Sequence, residues 1–317
     1  MNITLALLWA NASWREAARV GVREVDTEHL YLGLLALGGA AARLLGSHGV
    51  TLASARERVR DAQAADLRSL GIDPDPLLLP PRQLREIGHP DLVFTPAARR
   101  IVDARHPDTY ACLVELLKQA DAPRRLLAAD GVLPNDLVAE LKEGSDDALA
   151  AETVPPTPGL LPPPAQAQRV GRFVSTPPGR LADLLADPQS LAWWAYDPDG
   201  VEVFDGGEQV RLHKRSASFT IRFHLTRRAH GTGGDAHTVT WLQEMTDGPN
   251  AGEPLRSDTF TMTAAPGGCE LVHTCETRSF GALGRVIAPV TRALTGRGLT
   301  FTITTIAYAA AETPNRS

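Results

Sequence analysis

Two patterns of apolar spacing divide the chain. Over the first 143 residues apolar positions recur at helical intervals. Leu30, Leu34 and Leu35 share one face by their i, i+4, i+5 spacing, and Leu44 and Leu45 belong to the next helix. From Gln168 the spacing alternates: Val170, Arg172 and Val174 lean one way, Arg169, Gly171 and Phe173 the other, as a strand requires. Further strands are predicted at 201–204, 209–215, 219–226, 237–244, 258–263 and 270–278. Asp205-Gly206-Gly207, Gly231-Thr232-Gly233-Gly234, Asp247-Gly248-Pro249-Asn250 and Pro266-Gly267-Gly268 separate them as hairpin turns. Thr176-Pro177-Pro178 opens a predicted helix that runs to about Ala186 and is broken by Asp187-Pro188, and a short helix follows at 190–194. The final segment, 280–311, is expected to be a long helix, because Ile287, Val290 and Leu294 space for it, as do Leu299, Ile303 and Ile306. Pro289, Gly296 and Gly298 weaken that helix, and the β-branched run at 299–306 leaves a strand there as the alternative.

The helical part contains an internal repeat. A shift of 82 positions sets Asp26-Thr27 on Asp108-Thr109, Leu34-Leu35 on Leu116-Leu117, Arg43-Leu44-Leu45 on Arg125-Leu126-Leu127, and Gly49-Val50 on Gly131-Val132, without a gap. Ser13 falls on Thr95, and both are expected as helix N-caps: Ser13 has Glu16 three residues on, and Thr95 precedes Pro96. Gly49 and Gly131 stand where a left-handed C-cap would stop a helix, and Val59 matches Leu141 in the last helix of each unit. The expected units are about 12–61 and 94–143, stacked as an all-helical pseudo-twofold domain spanning 1–143.

The run Asp26-Thr27-Glu28-His29-Leu30-Tyr31-Leu32-Gly33-Leu34-Leu35, with Ala41-Ala42-Arg43-Leu44-Leu45 and Gly49-Val50 after it, resembles the N-terminal repeat of the Clp ATPases. Phe94-Thr95-Pro96-Ala97-Ala98-Arg99-Arg100 resembles the start of that family's second unit, where Tyr110 and Ala111 replace the Glu-His pair. What the resemblance implies is protein binding: adaptor and substrate docking, and in some members recognition of phosphoarginine by the motif glutamate. Glu28, with His29 beside it, is the position here that matches, and the implied partners are Clp protease components, their adaptors or their clients. Neighbouring readings are a carboxylate supporting a helix N-terminus and a metal ligand, for which one His and one Glu are too few. The chain contains no Gly-x-x-x-x-Gly-Lys-Ser/Thr run, so the implied domain is present without a P-loop.

Residues 144–167 carry Gly144-Ser145-Asp146-Asp147, Pro155-Pro156-Thr157-Pro158 and Pro162-Pro163-Pro164, and are expected to form a semi-rigid linker. The element order at 168–312, one strand, two short helices, six antiparallel strands and a long helix, resembles the helix-grip fold of the START/Bet v 1/polyketide-cyclase superfamily, leaving 313–317 as a tail. The expected fold class is therefore multidomain: an all-α double repeat followed by an α+β helix-grip domain. That fold implies a cavity between sheet and helix for a small hydrophobic ligand, with Trp193, Trp194, Phe219, Phe223, Trp241, Phe260 and Ile287 as candidate lining residues, or else as plain core.

Composition narrows the function. A formal net charge of −5 leaves no basic excess for a nucleic acid partner. The apolar opening from Ile3 to Ala10 lacks a basic flank, since the first arginine is Arg15, and no membrane span follows it; it is expected to pack as a helix or arm on the first domain. Cys269 and Cys275 would sit about 20 Å apart along one strand, too far to bridge, and the three cysteines suit a reduced, cytoplasmic protein. His213, His224, His237 and His273 fall on strands, where a general base could stand, but no nucleophile, carboxylate pair or metal spacing accompanies them. The expected function is a non-enzymatic binding or adaptor protein, without cofactor or metal. The alternative is a cyclase/aromatase-like enzyme that uses the helical domain for interaction.

Overall fold

The computed structural model describes residues 3–75, 93–104, 106–141, 151–188, 191, 201–204, 209–214, 217–230, 236–246, 250–279, 296 and 298–311. The protein is mixed α+β. Helices fill the N-terminal part: α1 (Ile3–Arg19), α2 (Thr27–Leu37), α3 (Ala40–Ser47), α4 (Leu52–Ser69), α5 (Pro96–Asp103), α6 (Thr109–Gln119), α7 (Asp121–Ala129) and α8 (Pro134–Leu141). Two short strands, β1 (Glu24–Val25) and β2 (Val93–Phe94), pair in parallel and tie α1–α4 to α5–α8.

The 82-residue offset has a structural counterpart. α2 and α6 are each 11 residues long, and each is opened by an aspartate, Asp26 or Asp108, whose side chain accepts from a backbone N–H of the first turn. The caps of the two units also meet, since Thr95 Oγ1 donates to Asp26 Oδ1 at 3.0 Å. Thr95 caps α5 with Pro96 in its first turn, as expected, and Gly49 and Gly131 follow their helices at φ 80° and 76°, in the left-handed region. Ser13 does not cap a helix. The apolar opening extends α1 back to Ile3, which leaves Ser13 mid-helix, its hydroxyl donating to the Trp9 carbonyl at 2.8 Å. Ser13 is instead the point of close crossing with α2, because a Cβ on Gly33 would lie 2.4 Å from its Oγ.

After α8 an eight-stranded antiparallel sheet is built from β3 (Glu152–Val154), β4 (Ala165–Val174), β5 (Val201–Phe204), β6 (Gln209–Lys214), β7 (Ala217–His230), β8 (Ala236–Met245), β9 (Pro254–Ala265) and β10 (Gly268–Arg278). The spatial order is β3-β4-β10-β9-β8-β7-β6-β5, so that the meander β5–β10 returns to lie beside β4. α9 (Pro178–Ala186) follows β4, and α10 (Gly298–Ala311) closes the described chain. The β-branched run at 299–306 is therefore helical. Leu299, Ile303 and Ile306 are buried against the sheet, and that packing overrides their low intrinsic propensity. The expected short helix at 190–194, apart from Leu191, and residues 280–295 of the expected final helix lie outside the described residues.

The proline-rich segment differs from a free spacer. Its Glu152–Val154 stretch pairs with Arg169, Gln168 and Ala167 of β4, and the Thr157 N–H donates to the Glu276 carboxylate at 3.0 Å. Proline removes donors only at its own positions, and the intervening residues here keep theirs and pair.

The helical and sheet parts are docked on each other through the α2–α3 corner. Beyond its pairing with β3, the edge of β4 is met by that corner: the Gly39 N–H donates to the Phe173 carbonyl at 2.9 Å, and Ser175 Oγ donates to the Leu35 carbonyl at 3.1 Å. Gly38 sits at φ 73°, and a Cβ there would lie 2.2 Å from the Phe173 carbonyl oxygen, so both the backbone conformation and the approach require glycine. Phe173 and Tyr308 are buried in the helical core instead of the sheet core, and the Tyr308 hydroxyl donates to the Leu8 carbonyl at 2.6 Å. Arg43 adds a two-pronged pair with Glu270, and Arg56 links Glu16 of α1 to the Ala311 carbonyl at the end of α10.

Candidate functional site

Glu28 occupies the first turn of α2, on the wall of a groove of about 390 Å³ between α2, α4 and α7. Asp61 and Asp66 of α4 line the same groove, with Arg58 and Gln63 beside them and Arg125 opposite on α7. The Gln63 amide donates weakly to Glu28 Oε1 at 3.4 Å, while Arg58 is drawn aside by Asp130, its Nε at 2.6 Å from Oδ1. With Arg58 partnered in this way, three carboxylates face one remaining guanidinium across the groove. Such a cleft suits a cationic side chain.

His29 belongs to the helix cap. Its Nδ1 accepts from the Asp26 N–H at 3.0 Å, closing a capping box in which histidine stands where Glu or Gln is usual. It is buried at 3% exposure. Burial pushes its imidazole pKa down against the opposing pull of Glu28, Glu16 and Asp26. Glu16, expected to complete a cap at Ser13, is instead a buried carboxylate held by Arg56. Burial, the largest single influence, would raise its pKa, but the charge and hydrogen bond of Arg56, with Arg19 and His29 nearby, together outweigh it and lower the pKa.

On the sheet, the register brings three of the candidate aromatics to the face covered by α9 and α10. Phe223 and Trp241 meet edge to face with ring centres 6.3 Å apart, and the Trp241 indole donates to the Leu185 carbonyl of α9 at 2.7 Å. Phe260 is fully buried. Phe219 lies on β7, and Trp193, Trp194 and Ile287 lie outside the described residues.

The same face holds a buried charged cluster that the pattern of residue types did not single out. Asp258 on β9 is 1% exposed and is held by Arg256, Gln243 and His273, with the Cys275 thiol also bonded to it. Arg256 donates from Nη2 to Oδ1 at 2.7 Å and from Nε to Oδ2 at 2.8 Å, the Gln243 amide donates to Oδ2 at 2.7 Å, and His273 Nε2 reaches Oδ1 at 2.8 Å. Burial would raise the Asp258 carboxyl pKa, but Arg256 and the His273 hydrogen bond outweigh it and hold the group far below the usual carboxylate range. An ionised carboxylate can only accept, so His273 Nε2 carries the ring proton and Nδ1 bears the lone pair. Burial lowers the His273 pKa, against the pull of Asp258 and together with the repulsion of Arg256, so the ring is neutral. The ring stacks on Phe260 with centres 4.3 Å apart. One signal for the cluster was present in the sequence: Arg256 and Asp258 are two apart and thus on one face of a strand. Placing His273 beside them needs the β9–β10 register, in which Cys275 stands opposite Asp258 and His273 opposite Phe260.

The other strand histidines differ. His224 lies on the surface beside Glu244, with Nε2 at 3.3 Å from Oε2, and His237 approaches Gly179 of α9. The Cys269 and Cys275 thiols are pushed up to about 12 by burial, which makes them poor nucleophiles. Among the described residues no three His, Cys, Asp or Glu side chains gather as metal ligands, and no single helix is long and apolar enough to cross a membrane.

No protein-family profile matches the sequence, and no curated protein matches it. Among solved structures, the protein Ms6760 from Mycobacterium smegmatis is similar at 13% identity and a TM-score of 0.33, over 50% of this chain and 95% of that one. The protein CV1439 from Chromobacterium violaceum is similar at 18% identity and a TM-score of 0.33, over 47% of this chain and 99% of that one. Ara h 8.0201 is similar at 14% identity and a TM-score of 0.31, over 45% of this chain and 99% of that one.

Proposed function

We propose that the chain is a non-enzymatic, two-part binding protein. Its helical part takes a protein segment through a basic side chain, and its sheet and α10 hold a small apolar molecule in the manner of a helix-grip domain. The observation that carries the first half is the groove at Glu28, where Glu28, Asp61 and Asp66 face Arg125 while Arg58 is turned toward Asp130. The repeat of capped helices and the Clp-like motif around Glu28 favour a Clp N-domain-like module whose partners are Clp components, their adaptors or their clients. The order of strands around α9 and α10 favours the helix-grip reading of the second half.

A peptide array of arginine- and lysine-containing segments, probed with the wild-type chain and with Glu28→Gln, tests the first half. Binding that weakens in the variant supports it, and equal binding or none overturns it.

A second reading, a cyclase-like enzyme, is favoured by one feature, the neutral His273 oriented by ionised Asp258. That pairing is how a general base is prepared.

A further inference from the structure

The repeat relates the two helical units in their contacts as well as in their caps. Arg58 of α4 reaches Asp130, just past α7, with Nε at 2.6 Å from Oδ1. The positions 82 residues away are Glu140 of α8 and His48, just past α3, and His48 Nε2 lies 3.2 Å from Glu140 Oε2. The same two positions of the repeat thus bridge one unit to the other twice, with acid and base exchanged. α3 and α7 are therefore counterparts in space, and Arg43 of α3 is the counterpart of Arg125 of α7.

The two arginines differ in what they meet. Arg43 holds Glu270 of β10 by two bonds, Nε to Oε1 at 2.5 Å and Nη2 to Oε2 at 2.7 Å. A guanidinium fork matched to both oxygens of a carboxylate is the arrangement arginine favours. Arg125 is exposed on the wall of the Glu28 groove, and no carboxylate among the described residues pairs with it. The chain's own sheet occupies the first site; the second faces the groove.

We propose that Arg125 is a second subsite of the groove, taking the carboxylate of an aspartate or glutamate in the same peptide whose basic side chain sits at Glu28, Asp61 and Asp66. This rests on the reading of the groove as a seat for a basic side chain, and it narrows the partner to a segment that carries both signs.

The rest of the lining suits such a segment. Val59, Ala62, Ala65, Leu126 and Ala129 are small or apolar, and the stems of long charged side chains pack on such surface. A purely basic segment would bring a like charge toward Arg125, whereas an acidic residue pairs with it. A second copy of the chain fits poorly. The β9–β10 turn presses on α3 where Gly46 has no side chain, and a Cβ there would lie 2.5 Å from the Pro266 carbonyl oxygen. Ala128, 82 positions on, carries that Cβ, so another copy's turn cannot seat on α7 as the chain's own seats on α3.

The test starts from the strongest basic peptide of the array and uses the full chain. Twin peptides carry glutamate or glutamine at one position, moved stepwise along both sides of the basic residue, and their dissociation constants are measured. At the matching position the glutamate twin is expected to bind wild type about three- to ten-fold tighter than the glutamine twin, the size of an ion pair at a partly open site. In Arg125→Gln that preference disappears, and in Arg125→Glu it reverses. Glu28→Gln weakens both twins and keeps the preference. If glutamate is favoured at no position, or the preference survives Arg125→Gln, the subsite is overturned while the seat for the basic side chain stands. If no basic peptide binds wild type, the groove reading falls and the subsite falls with it.

Discussion

Arg172 of β4 donates from Nε to the carbonyl of Leu37 at 2.7 Å, joining the sheet to the last turn of α2. The same guanidinium reaches the Gly38 carbonyl from Nη2 at 3.3 Å, and the residue is 3% exposed. Carbonyls at a helix C-terminus have no partner within the helix and carry the negative end of its dipole, so a buried arginine is well matched to them. Because α2 also carries Glu28 at its other end, one helix of 11 residues, about 16 Å long, connects the groove to the sheet.

Replacing Arg172 with Ala leaves those carbonyls buried and opens a void beside Gly38 at the end of α2. The expected loss is about 2–4 kcal/mol of stability, from charge-assisted hydrogen bonds and lost packing. Urea denaturation followed by tryptophan fluorescence measures it. A loss under about 0.5 kcal/mol, the size of an ordinary surface substitution, would show that the contact does not hold the two parts together.

Glycine substitutions separate docking from helix propensity. In a solvent-facing helix, Gly→Ala gains about 1 kcal/mol. Gly46 lies inside α3, yet a Cβ there would stand 2.5 Å from the Pro266 carbonyl oxygen in the β9–β10 turn. Gly46→Ala is therefore expected to destabilise, by about 1–3 kcal/mol, as overpacking does. Gly49→Ala meets nothing within 4 Å and carries only the strain of φ 80°, about 1–2 kcal/mol. A gain in melting temperature for Gly46→Ala would mean that the helical part and the β9–β10 turn do not touch in solution.

Stability is expected to fall as the solution is acidified below about pH 6.5. His29 and His273 both have pKa values lowered by burial, so in the folded chain they remain neutral where the unfolded chain already binds protons near pH 6.5. Unfolding then takes up protons, and each histidine contributes up to about 1.4 kcal/mol per pH unit until its folded value is reached. Urea midpoints at pH 7.5 and 5.5 check this, the lower midpoint being expected at pH 5.5. In His273→Phe the difference should shrink, since one of the two proton-uptake sites is gone. A midpoint that does not move, or rises on acidification, contradicts the neutral assignments.

Much of this architecture is legible along the chain, for reasons that differ between the two parts. Thr95, Gly49 and Gly131 mark helix ends because caps and left-handed stops are local chemistry that no distant contact rewrites, whereas Asp26 and Asp108 stand out along the chain only as matching positions of the repeat. The strands at 201–278 are legible because alternation and Gly-rich turns are local too. Ser13 misleads because a short-range capping pattern is overridden when the apolar run before it continues the helix. The proline-rich stretch misleads because Glu152–Val154 finds the edge of β4, a pairing set by tertiary position. Arg172, Gly38 and Gly46 give no sign of docking, since their partners lie more than 130 residues away. Of the groove, only Glu28 is visible in advance. The Asp258–His273 pair needs the strand register, which no single-strand pattern contains.

The groove at Glu28 as a seat for a basic side chain is tested most directly by one pair of dissociation constants, those of the strongest basic peptide from the array for wild type and for Glu28→Gln. Glu28→Gln is expected to weaken the peptide at least about ten-fold, the loss of one charge-assisted hydrogen bond. Equal binding to the two chains, or no basic peptide bound by wild type, would overturn that reading.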